Sequence, residues 1–70
     1  MDYDLIEAIA VRADRKISIP PRIRTWYDWE DKLQDARELA CRYAQECDNS
    51  EEWLLARTVL ALKQRMRDYE

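Results

Sequence analysis

The stretch Trp26-Tyr27-Asp28-Trp29-Glu30-Asp31-Lys32-Leu33-Gln34-Asp35-Ala36-Arg37-Glu38-Leu39-Ala40-Cys41-Arg42-Tyr43-Ala44-Gln45-Glu46-Cys47 decides the fold. Trp26, Trp29, Leu33, Ala36, Ala40, Tyr43 and Cys47 recur at alternating intervals of three and four, which is the period of one helix face. Leu39 and Ala44 widen that stripe to roughly 140°. Asp28, Asp31, Asp35, Glu38, Arg42 and Glu46 fall on the opposite side. The spacing predicts an amphipathic helix over about 26–47. Thr25 stands as its cap, with Asp28 three residues on in a capping-box position. Asp28–Lys32 and Glu38–Arg42 are acid-first i,i+4 pairs, the favourable order.

Two further helices follow from the same periodicity. Over about 2–16, Leu5, Ile6, Ile9, Ala10 and Ala13 gather on one side. Asp2 is positioned to cap this helix and Met1 to pack on Ile6. Asp4 and Glu7 lie early, and Arg12, Arg15 and Lys16 late, in the order the helix dipole favours. Over about 50–69, Leu55, Val59, Leu62, Met66 and Tyr69 form one seam, Trp53, Ala56 and Leu60 another apolar line, and Leu54 and Ala61 a third. Asn49 with Glu52 is the capping signature at its start. Only Arg57 is charged between Trp53 and Leu62, so this helix is expected to be covered nearly all round, in a bundle or by a second copy. The break at 48–50 is short, so the last two helices should fold back antiparallel.

The connector 17–24 differs. Pro20-Pro21 stops a helix and pushes Ile19 to extended backbone. Ile17, Ile19 and Ile23 are apolar and should lie on the core. The expected architecture is all-α. It is one domain over 1–70, a three-helix bundle built on an antiparallel hairpin, with the first helix packed across it and the tryptophans filling its ends.

Composition agrees. Seventy residues without Gly or His, with 47% hydrophobic and 39% charged residues, suit helices and not hairpins, disorder or a membrane span. No membrane partner is expected. The acidic start, Met1-Asp2-Tyr3-Asp4, opposes a secretory signal, so the expected compartment is the cytoplasm. Cys41 and Cys47, six positions apart on one helix, lie roughly 9 Å apart along its axis, too far for a disulfide between them. With no His and no C-x-x-C pair, no metal site is expected.

The same absences remove most catalytic constellations. Ser-His, Cys-His and metal-His arrangements need a histidine, and phosphate-cradling loops need glycine. The carboxylates of the second helix lie on a wet face, where nothing raises a carboxyl pKa. Neither a catalytic residue nor a cofactor-binding residue is expected, and the chain reads as no enzyme.

Three surfaces remain for partners. Arg22, Arg24, Trp26 and Tyr27 interleave the residue types enriched in interface hot spots. Asp28, Asp31, Asp35 and Glu38 form an acidic ribbon that could imitate a row of phosphates. Surplus apolar area on the last helix, at Trp53, Leu54, Leu60 and Ala61, suits a homodimer. The net charge of −3 hides a split: 12–24 carries five bases and one acid, while 25–52 carries three bases and nine acids. These two segments could attract each other within the fold or across a dimer. A nucleic-acid-binding regulator using the basic connector is the alternative. Against it stand a pI near 4.9 and a last helix that opens Glu51-Glu52-Trp53 where base-reading residues belong. A structural homo-oligomer is a third reading. The favoured one is an inhibitor or adaptor that binds a protein partner within a larger macromolecular machine. In composition, a very short acidic helical chain rich in Trp and Tyr resembles small phage or plasmid accessory proteins.

Overall fold

The computed structural model describes residues 3–46 and 50–70. Among them are three α-helices and no strand: α1 (Tyr3–Lys16), α2 (Trp29–Glu46) and α3 (Glu51–Tyr69), with a short 3-10 turn at Pro21–Ile23 between the first two. The all-α three-helix bundle expected from the periodicity is present. The caps assigned to Asp2 and Asn49, and the Met1 contact, lie outside the described residues.

Long-range pairs fix the directions. Glu7 meets Arg37 and Asp14 meets Lys32, so α1 and α2 run antiparallel. Tyr43 packs edge-on to Trp53, while Asp35 meets Arg65 and Tyr69, so α2 and α3 are antiparallel too. Each helix packs on both others. Ala10, Ala13, Ala36 and Ala40 are fully buried, and their small side chains let the helix backbones approach closely. Ile6, Ile9, Leu39, Leu54, Leu62 and Met66 fill the space between, with Ile17 and Ile19 of the connector packed against them as expected. No helix among the described residues is long and apolar enough to cross a membrane.

The start of α2 departs from the expectation. The helix begins at Trp29, not Trp26, and Thr25 is not its cap. Asp28 Oδ1 accepts from the Asp31 amide at 3.1 Å, and Asp31 Oδ2 accepts from the Asp28 amide at 3.0 Å. This is a reciprocal capping box, displaced three residues along the chain. The cause is Tyr27. Continued as helix, residue 27 would project from the solvent arc of α2, about 180° from Ala36 at 100° per residue. Instead the Tyr27 amide bonds the Ile23 carbonyl at 2.9 Å, and both side chains drop into the core, 4% and 2% exposed. Burying two such side chains contributes about 2 kcal/mol each. The same move turns Trp26 outward.

The end of α1 is closed by a residue of α2. Lys32 Nζ donates to the carbonyls of Asp14 at 2.9 Å and Ile17 at 2.6 Å, and lies 3.4 Å from the Asp14 carboxylate. A cation at a helix C-terminus satisfies carbonyls that have no partner within the helix. The expected Asp28–Lys32 pair gives way to this one, whereas Glu38–Arg42 forms, loosely, at 3.9 Å.

Ser50 caps α3, its hydroxyl accepting from the Trp53 amide at 3.2 Å. The buried line of α3 is Leu54, Thr58, Leu62 and Met66, whereas Leu55, Val59 and Tyr69 of the expected seam are half-buried. Thr58 enters the core because its hydroxyl bonds back to the Leu54 carbonyl at 2.7 Å. Cys41 is half-buried and its sulfur accepts from the Gln45 amide at 3.4 Å. Cys47 lies outside the described residues.

Candidate interaction surfaces

The aromatic-arginine segment separates into residues that build the fold and residues that face solvent. Tyr27 belongs to the first group, which corrects its reading as a contact residue. Its hydroxyl donates to Asp35 Oδ2 at 2.5 Å, and Tyr69 donates to the same oxygen at 2.9 Å. Burial, then the Asp35 bond, raises the Tyr27 pKa, and the same two causes raise that of Tyr69. Trp26 and Trp29 belong to the second group. They are 59% and 63% exposed, so neither fills the core stripe. Trp26 stands edge-on to Tyr27 and Tyr69, with ring centroids 5.6 and 5.4 Å away. Arg22 is exposed. Arg24 is exposed too, but its Nε is tied to the Ile19 carbonyl at 3.2 Å, where it braces the turn.

Around these indoles the surface forms two shallow clefts. One is lined by Trp26, Tyr27, Asp31, Gln34, Asp35 and Tyr69, the other by Trp29, Glu30, Asp31, Leu33, Gln34 and Arg37. They share Asp31 and Gln34, so the two tryptophans flank one continuous strip of α2. Trp29 as a surface residue escaped the sequence reading. The one local signal for it is Asp28-x-x-Asp31, a capping spacing that starts the helix at residue 29.

The acidic ribbon is largely occupied from within. The Asp28 and Asp31 carboxylates each hold a backbone amide of the cap. Asp35, its side chain 15% exposed, takes Tyr27 and Tyr69 on one oxygen and Arg65 Nη1 on the other at 2.9 Å. Glu38 takes both Arg65 nitrogens, at 3.1 and 3.2 Å, and this hydrogen bonding lowers its pKa. A free row of four charges, as the ribbon was read, is therefore not what this face presents. The neutralising cation comes from α3, 27 to 30 residues away.

The basic segment is the reverse case. Among the described residues, no carboxylate pairs with Arg12, Arg15, Lys16, Arg22 or Arg24. The attraction expected between basic connector and acidic helix reduces to the Lys32 contact of the opposite polarity.

The apolar surplus on α3 is also smaller than expected. Leu54 is a core residue, 5% exposed, and Ala61 is half-buried. Leu60 at 59% and Trp53 at 37% do face solvent. Trp53 leans on Tyr43, whose ring carries the Arg57 guanidinium 5.0 Å from its centroid. Set beside known protein families, curated proteins and solved structures, the chain matches none of them.

Proposed function

We propose that this chain is a non-catalytic protein-binding module, an inhibitor or adaptor that docks on a larger assembly through the bundle end bearing Trp26 and Trp29. One observation carries this reading: two indoles, each more than half exposed, flank the same strip of α2 on a stiff support. Ile23 and Tyr27 anchor the chain on either side of Trp26, and the Asp28–Asp31 box fixes Trp29. Tryptophan dominates interface hot spots, and an anchor ordered before binding loses little entropy on docking. Internal use of Asp35 and Glu38 moves the weight of the proposal from the acidic ribbon to this end.

The test is capture of the partner by the tagged chain in its native host. The Trp26→Ala/Trp29→Ala chain should lose what the wild type retains, with helical circular dichroism unchanged. Retention of the same partner by the double variant would place docking elsewhere. The five bases without a carboxylate partner among the described residues favour a second reading, nucleic-acid binding at the α1–connector segment. That reading requires a gel shift that weakens steeply with salt and tracks Arg22 and Arg24.

A further inference from the structure

We propose that the outer face of α3 binds a second copy of this chain, the two α3 helices packing antiparallel about a two-fold axis beside Ala56 and Leu60. At 100° per residue, Glu52, Ala56, Leu60, Lys63 and Arg67 share one solvent arc, with Trp53 at its edge. All six are exposed. Along this arc the charges are sorted: an acid at the N-terminal end, an apolar middle, two bases at the C-terminal end.

Sorting of this kind is complementary to itself in one orientation only. Laid parallel, two copies would set Lys63 against Lys63 and Arg67 against Arg67. Laid antiparallel with Ala56 facing the partner's Leu60, each Leu60 sits over a small alanine, a knob over a hole repeated twice by symmetry. In that register Trp53 lies level with the partner's Lys63, an indole under an ammonium. Glu52 is one residue off the partner's Lys63 and three off the partner's Arg67, within reach of those long side chains. None of Glu52, Lys63 and Arg67 has an ion-pair partner within the chain among the described residues, so these charges are available. Arg57, which lies over the Tyr43 ring, is held off this arc. The surface is separate from the Trp26–Trp29 end, so the pair would present two docking ends.

Sedimentation of the full chain tests this. The wild type should pass from monomer to dimer as its concentration rises through the micromolar range. Leu60→Glu should stay monomeric with unchanged helicity. Glu52→Lys alone should be monomeric, and Lys63→Glu/Arg67→Glu alone likewise, because each leaves like charges opposed. An equimolar mixture of those two chains should dimerise. A wild type that stays monomeric, a Leu60→Glu chain that still dimerises, or a mixture that does not associate each overturns the proposal. A dimer of wild type abolished by Trp26→Ala/Trp29→Ala instead would assign self-association to the bundle end.

Discussion

At the scale of single residues, Asp35 carries more than its position on a polar arc suggests. Two phenol hydroxyls share one of its oxygens and a guanidinium holds the other, and these groups come from the chain just before α2 and from α3. Removing the carboxylate leaves Arg65 partly buried beside two hydroxyls without an acceptor. Asp35→Ala should therefore cost about 2–3 kcal/mol in urea unfolding at neutral pH. Glu38 shares Arg65 but is half exposed, so Glu38→Ala should cost less than about 1 kcal/mol. Equal losses at the two positions would mean that Asp35 works only as a surface charge. None of this was legible locally, because a sequence displays acids at helical spacing and not the arginine 30 residues away that consumes one of them.

At the scale of elements, where α2 begins determines which aromatic is buried. Asp28→Ala should cost about 1 kcal/mol of stability, while Thr25→Ala should stay within about 0.5 kcal/mol. Thermal or urea melts of the two variants decide it, and the opposite ranking would return the helix start to Trp26. The faces of α1 and the seating of Ile17, Ile19 and Ile23 were readable from periodicity and proline alone. The start of α2 was not, because Trp26, Trp29 and Leu33 keep helical spacing straight through the break, and tryptophan is the residue one expects inside. Tyr27 wins the interior since its hydroxyl finds Asp35 there. On α3 the expected seam was off by one line at its N-terminal half. Two neighbouring helices share this one and draw its buried face toward Leu54 and Thr58, and a threonine is tolerated where its hydroxyl has a helix carbonyl.

At the scale of the whole molecule, titratable groups join the helices to one another, so stability must depend on pH from both sides. Glu7 receives Arg37 through two nitrogens, at 2.9 and 2.8 Å, and this hydrogen bonding holds its pKa below the ordinary 4.5; Arg65 does the same for Glu38. A lowered carboxyl pKa gives stability that is present above the unfolded value and lost as pH falls through the folded one. Both carboxylates are about half exposed, so this acid limb is shallow. Tyr27 and Tyr69 act in the other direction. Their pKa values are raised from the ordinary 10.0, first by burial and then by the bond to Asp35. The unfolded chain thus gives up these protons before the folded one, and the stability they contribute is whole below about pH 10 and declines as pH climbs toward the folded values. Urea midpoints followed with pH should form a plateau through neutrality, a gentle fall in acid and a steeper fall in alkali. Tyrosinate absorbance at high pH should lag in the folded protein for Tyr27 and Tyr69, and Tyr27→Phe, though less stable at neutral pH, should flatten the alkaline limb. Titration of all four phenols as one class with a midpoint near the ordinary 10.0, the helices still intact, would mean that Tyr27 and Tyr69 are not held against Asp35.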